Sequence, residues 1–376
     1  SFVAKAHQLG MKVILDWVAN HTSPDHAWVT EKPAEWYYRD ENGNTVIEYD
    51  WTDIAKLNYG CEGVREAMLE AMRFWVARGV DGFRCDMASL VPEDFWTPTI
   101  ATLREEAGKP LFFLAEAEED WMHRAGFDAM YAWRFHHLIN DIAQGHKGKA
   151  ELLEEVQTFV DAQGRKRLCF TSNHDENSWA GTEFERMGEA WQAMSILCWT
   201  LPNSLPLIYT GQEAGLSWRF KFFEKDEAPH WGNGEYAEFY RYLSAQRHSH
   251  PALDADAGFE LLESGDDEIR FIRRKAGDEV LVSVQLKAPW NWSISSEADR
   301  ITRVEPMCWW TGMKTPLQLL VQGEGIGEWN ACFKDAKGVR VTGTHKADSP
   351  NYLFVDVEIA AGAQPGTYRL HFSKGE

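Results

Sequence analysis

Apolar and polar positions fall into two regimes along the chain. Up to about residue 250, short apolar runs alternate with stretches whose apolar residues recur at helical spacing. Residues 1–10 read as the end of an amphipathic helix closed by Gly10, and the run 11–15 that follows closes on Asp16. Residues 66–78, apolar at Ala67, Met68, Ala71, Phe74 and Trp75, predict a helix leading into a strand at 80–86. The run 110–115 closes on Glu116, and 127–131 is a weaker strand. The run 167–171 leads to Asn173-His174-Asp175, and 205–209 leads to Gly211-Gln212-Glu213. Six strands separated by helices predict a parallel sheet joined by right-handed crossovers. In α/β barrels, polar side chains at the strand C-termini carry the chemistry.

Two stretches depart from this alternation. Residues 22–60 carry Pro24, Pro33, Asn42-Gly43-Asn44 and the aromatics Trp28, Trp36, Tyr37, Tyr38, Tyr49 and Trp51. Structureless loops above about 15 residues are uncommon unless functional, so this stretch predicts a small inserted subdomain walling a cleft. Beyond residue 250 the period changes to two. Segments 259–262, 268–273 and 280–284 predict an antiparallel β module over 251–300. Segments 304–310, 317–321, 339–341, 352–359 and 368–372 predict a β-sandwich over 301–376. The catalytic-looking part thus occupies 1–250.

Composition narrows the function classes. The formal charge of -20 argues against a polyanionic partner such as nucleic acid. No apolar run approaches the roughly 18–20 residues that a membrane-spanning helix needs. The 18 Trp residues suit stacking on sugar rings as well as core filling. The six Cys lie far apart without a C-x-x-C pair, which indicates neither a zinc site nor a disulfide framework and leaves the compartment open.

Candidate chemistry gathers at strand ends: Asp16 with Asn20 and His21, Arg84 with Asp86, Glu116, and His174 with Asp175. Singly, Asp16 or Asp86 reads equally as a helix N-cap, and His21 or His174 as a structural histidine. Their recurrence at successive strand ends places them in one pocket. Two carboxylates there suit glycosidic bond cleavage, one acting on an oxocarbenium-like centre and the other, with a raised pKa, protonating the leaving oxygen. Glu116 after its apolar run is the residue whose proton burial would retain, and Arg84 is placed to orient Asp86.

Asp16-Trp17-Val18-Ala19-Asn20-His21, Gly82-Phe83-Arg84-Cys85-Asp86, Glu116 after its strand, and Asn173-His174-Asp175 resemble the four signature regions of the α-amylase superfamily. Gly211-Gln212-Glu213 is similar to that family's eighth-strand ending. The resemblance implies an α/β fold, a (β/α)8 TIM-type barrel that begins here at its third strand and lacks the first two. It implies Asp86 as nucleophile, Glu116 as general acid/base and Asp175 as transition-state stabiliser. Arg84, His21 and His174 would line the sugar subsite, Asp16 would order the pocket, and Asn20 would be a candidate calcium ligand. No organic cofactor is implied.

The substrate implied is an α-glucan oligosaccharide derived from starch. A transglycosylase of the same superfamily and an inactive glucan-binding fragment stand as alternatives. Met87-Ala88-Ser89-Leu90 departs from the Lys-His pair of many α-amylases and leaves the substrate subclass open. Residues 301–306, 309–314 and 351–354 resemble the N-terminal β-sandwich of neopullulanases and cyclomaltodextrinases, which implies a candidate homodimer contact through 301–376. That sandwich ordinarily precedes its barrel, which points to a cut from a longer polypeptide or a junction of two such units. A barrel without two strands exposes sheet edges, and the expectation is a chain poorly stable or inactive unless another chain completes it.

Overall fold

A computed structural model of the protein describes residues 1–162, 164–229, 231, 234–296, 301–313, 315–323, 325–333, 336–368 and 370–374. The chain divides into two compact units, Ser1–Ala245 with Leu286–Trp290, and Gln246–Gln285 with Asn291–Glu376.

The first unit is built on six parallel strands: β1 (Ile14–Val18), β2 (Gly82–Asp86), β3 (Phe112–Ala115), β4 (Ala129–Tyr131), β5 (Lys166–Cys169) and β6 (Ser204–Pro206). Each pairs with the next, so the ladder runs β1 to β6 in chain order. Helices such as Glu62–Val76, Glu93–Ala107 and Trp133–Ala143 fill the intervals between successive strands. The six strands predicted from apolar runs are present, with shifted ends. Strand side chains alternate between faces. Phe83, Cys85, Phe113 and Ala115 enter a core with Met68 and Met72 of one helix and Phe95, Trp96 and Leu103 of the next. Leu114, Ala129, Tyr131, Leu168 and Phe170 form a second core. Arg84 and Asp86, one position off Phe83 and Cys85, belong to the face opposite the first core.

One offset has a physical cause. The predicted run 11–15 becomes a strand at Ile14–Val18, which puts Asp16 at mid-strand and not at the strand end. Residue 13 bonds outside the ladder: Val13 N–H donates to Asp81 Oδ2 (2.8 Å) and Val13 O accepts from Asp81 N–H (2.6 Å). The buried Asp81 carboxylate also meets His7 Nε2 at 2.7 Å and Lys109 Nζ at 3.2 Å. It thereby latches the helix Phe2–Gln8 to the start of the sheet. Gly82 opens β2 with φ +151°, and a Cβ there would lie 1.8 Å from Phe112 O, so strands β2 and β3 meet at that point only through glycine.

Residues 22–60 run mostly without long regular elements. His21–Thr22 pairs antiparallel with Ala55–Lys56. Trp36, Tyr37, Leu57 and Tyr59 are buried in the same core as Met68, and Tyr59 Oη donates to Ala19 O at 2.7 Å.

The second unit is antiparallel. Strands β7 (Gly258–Leu262), β8 (Glu268–Lys275), β9 (Asp278–Gln285) and β10 (Trp292–Ser296) form one sheet. Strands β11 (Ile301–Glu305), β12 (Leu317–Gly323), β13 (Trp329–Phe333), β14 (Val339–Lys346), β15 (Tyr352–Ile359) and β16 (Leu370–Lys374) follow. They form a four-stranded sheet β11-β12-β15-β14 and a pair β13-β16 around Leu319, Val321, Trp329 and Val355. The strand predicted at 304–310 stops at Glu305, because Pro306 offers no N–H to the ladder. Strands β10 and β13 have no counterpart in the sequence reading. Residue 369 of the predicted strand 368–372, residue 314 of the quoted 309–314 motif, and residues 297–300 closing the predicted β module lie outside the described residues. Among the described residues no helix is long and apolar enough to cross a membrane.

Candidate active site

Arg84 is the centre of the site. It is buried at mid-strand in β2, and parallel register places Asp16 of β1 directly beside it. Arg84 Nη1 donates to Asp16 Oδ1 and to Asp86 Oδ1, both at 2.8 Å. Its Nη2 lies 2.7 Å from Glu116 Oε1, a close contact whose N–H is not aligned for a hydrogen bond. Its Nε donates to Tyr131 Oη at 3.0 Å. One planar guanidinium therefore fixes groups from four successive strands, a task suited to its rigid fork of donors.

Glu116 follows β3 directly and continues the ladder, its N–H donating to Cys85 O at 3.0 Å. The chain after Asp86 turns through a left-handed residue, Met87 (φ 40°, ψ 47°), and this turn aims the Met87 N–H at Glu116 Oε2, 2.9 Å away. Burial raises the Glu116 pKa; Arg84 and the Met87 N–H lower it, and the charges of Asp86 and Asp175 raise it again. The net result is a carboxyl pushed up to about 8.

Asp175 lies in the first turn of the helix His174–Trp179, whose N-cap is the Asn173 side chain accepting from Glu176 N–H at 2.8 Å. Burial raises the Asp175 pKa against the pull of His174 and Arg84, with Asp86 adding to the rise. His174 Nε2 stands 3.5 Å from Asp175 Oδ2. Burial lowers the pKa of His21, opposed by the charge of Asp86, and the His21 ring packs 5.9 Å from Trp51. Direct contacts thus join Asp16, Arg84, Asp86 and Glu116. His21 and Asp175 feel the charge of Asp86, and His174 touches Asp175.

Tyr131 was missed by the sequence reading. It closes the weak strand β4 and is buried, its hydroxyl accepting from Arg84; an aromatic at a strand C-terminus was its only signal. Gln212 proves to be a tie between β5 and β6. Its Nε2 donates to Thr171 Oγ1 (2.8 Å) and to the buried Glu183 Oε2 (2.5 Å), while its Oε1 accepts from Tyr209 N–H (2.6 Å). Glu183 too was unforeseen, and burial lifts its pKa to about 6.

Asn20 is buried, with its carbonyl accepting from Leu57 N–H at 3.1 Å and its amide nitrogen 3.3 Å from His21 Nδ1. Among the described residues no group of three or more His, Cys, Asp or Glu is gathered to hold a metal ion. No such group surrounds Asn20 among the described residues, and no step proposed below uses a metal ion.

Comparison with known proteins matches two family models: "Alpha amylase, catalytic domain" over residues 1–35 and 30–233, and "Cyclomaltodextrinase, N-terminal" over 303–376. The model described as N-terminal thus stands second in this chain. Alpha-amylase MalA of Haloarcula japonica is 28% identical over 300 residues, covering 75% of this chain and 44% of that protein. Alpha-amylase 2 of Dictyoglomus thermophilum is 24% identical over 316 residues, covering 76% of this chain and 54% of that protein. The chain spans about half the length of these curated relatives. Among solved structures, the maltogenic alpha-amylase AmyB of Thermotoga neapolitana shares the fold with a TM-score of 0.68 at 24% identity, covering 95% of this chain and 78% of that one.

Proposed function

The chain belongs to the α-amylase family, and from that premise we propose that it is a retaining glycoside hydrolase cleaving α-glucosidic bonds in starch-derived oligosaccharides. The observation that carries this reading is the Arg84 guanidinium, which holds Asp86 and Glu116 against one cation at 2.8 and 2.7 Å. Retaining chemistry needs its two carboxyl groups about 5 to 5.5 Å apart, closer than the roughly 6.5–9.5 Å of inverting enzymes. A shared guanidinium favours the shorter spacing. The relatives' names, alpha-amylases among them, support an α-glucan as the substrate class.

The roles follow from environment. Glu116 keeps its proton near neutral pH because it is buried, and it gives that proton to the leaving glycosidic oxygen. Asp86, oriented by Arg84, attacks the anomeric carbon as the C–O bond breaks, forming a glucosyl ester. The Glu116 carboxylate then takes a proton from water, which cleaves the ester, and the starting state returns. Asp175 grips sugar hydroxyls beside the reacting ring, His21 and His174 line it, and Asp16 and Tyr131 hold Arg84 in place.

Proton NMR of the first products from maltoheptaose tests the stereochemistry. The α-anomer should appear first and mutarotate afterwards, and initial β-anomer would overturn the mechanism. Asp86→Asn should remove nearly all turnover while leaving the circular dichroism spectrum unchanged. Transfer products rising with oligosaccharide concentration would identify a transglycosylase using the same residues.

A further inference from the structure

Three large aromatic side chains in the first unit stand in solvent together. Trp179, Phe222 and Phe223 are 64, 40 and 73% exposed, and their rings touch, with centroids 5.1 Å apart for Trp179–Phe222, 6.1 Å for Trp179–Phe223 and 4.8 Å for Phe222–Phe223. A contiguous exposed apolar patch of this kind marks a binding surface more often than single exposed residues do.

The segment that carries Phe222 and Phe223 is fastened to the helix His174–Trp179. Asn177 Nδ2 donates to Trp218 O (3.0 Å) and Asn177 Oδ1 accepts from Phe220 N–H (2.9 Å). Asp226 accepts from Trp218 Nε1 and from Lys221 N–H, both at 3.1 Å, and Arg219 pairs with Glu185 at 2.9 and 3.1 Å. The exposed rings are therefore presented by a braced segment.

Two features connect the cluster to the candidate active site. Asp175 and Trp179 are four residues apart on one helix, which places them on the same face about 6 Å apart along the axis. Phe222 stacks on the His174 ring at 6.2 Å with planes 19° apart, and His174 in turn meets Asp175. Between the aromatics lies a cleft of ≈ 330 Å³ with Ser178, Arg219, Lys221 and Glu224 among its lining, within the roughly 300–1,000 Å³ of ligand sites. Flat apolar rings rimmed by hydrogen-bonding side chains suit the faces and hydroxyls of a pyranose.

We propose that Trp179, Phe222 and Phe223 form a stacking platform that continues the candidate active site and takes glucose rings of an α-glucan beyond those flanking the bond cut. The proposal rests on the glycoside hydrolase reading and makes the enzyme selective for chain length. Titration of the full chain with maltoheptaose and with maltotriose, followed by isothermal calorimetry, tests it, with hydrolysis of both followed in parallel. Trp179→Ala should weaken maltoheptaose binding about tenfold more than maltotriose binding, and Trp179→Phe, which keeps a ring, should restore most of the difference. Phe222→Ala should act in the same direction.

Equal effects on the two sugars, no effect of either alanine variant, or no binding of maltoheptaose by the unaltered chain would overturn the platform. The two readings fail separately. A ring-dependent preference for maltoheptaose without hydrolysis supports the platform and removes the hydrolase reading. Hydrolysis with a ratio indifferent to Trp179 does the reverse.

Discussion

At Glu116 two partners, the Arg84 guanidinium and the Met87 N–H, favour the ionised carboxylate, while burial and the charges of Asp86 and Asp175 disfavour it. Burial is the largest of these effects, so the proton is retained up to about pH 8. As general acid Glu116 works protonated, so kcat/KM should fall as pH rises through about 8. Glu116→Gln should abolish that limb and lower kcat by about 10²–10⁴-fold on substrates with poor leaving groups. Stability should respond with a definite sign. Between the ordinary 4.5 and about 8 the folded state holds a proton that the unfolded chain has lost, so the contribution of this group to stability declines as pH rises across that window. Glu116→Gln should therefore melt above the unaltered protein at pH 8 and converge with it below pH 4.5, as calorimetric scans would show. The candidate site residues were legible in the sequence because charged side chains stood within or just after runs of apolar ones. Tyr131 was not, since an aromatic ending a weak apolar strand reads as core, and only its hydroxyl, aimed at Arg84, sets it apart.

Among the elements, the parallel strands were legible as short apolar runs between helical patterns, and their ends were less so. Strand β1 begins at Ile14 because Val13 exchanges hydrogen bonds with Asp81, a partner that sequence pattern alone does not supply. Strand β11 ends where Pro306 removes a donor. Strand β13 escaped notice because Trp329–Phe333 is short and carries the apolar Cys332 at an exposed position, which blurs its alternation in the sequence. The Asp81 latch has a measurable weight. Burial alone would raise its pKa, but the Val13 N–H, His7 and Lys109 hold it down at about 2. Its stabilising contribution is present above the ordinary value of 3.8 and is lost as pH falls through about 2. Asp81→Asn should cost about 1–3 kcal/mol, the penalty for weakening a buried network of charged hydrogen bonds, seen as a lower urea midpoint at pH 7 with an unchanged slope. An unchanged midpoint would show that the latch is dispensable.

For the whole molecule, the period changes near residue 250 from parallel α/β to antiparallel; one family model matches residues 1–233 of the first part and another matches residues 303–376 of the second. The residues proposed for catalysis all lie in Ser1–Ala245, so the chemistry is assigned to the first unit. The central claim is that Asp86 becomes covalently glucosylated during turnover. Treatment of the full chain with 5-fluoro-α-glucosyl fluoride, followed by intact mass and peptide mapping, tests it most directly. One glycosyl adduct is expected, on the peptide containing Asp86, and it should fail to form in Asp86→Asn. An adduct on another carboxylate, or none in a chain that hydrolyses maltoheptaose, would contradict it.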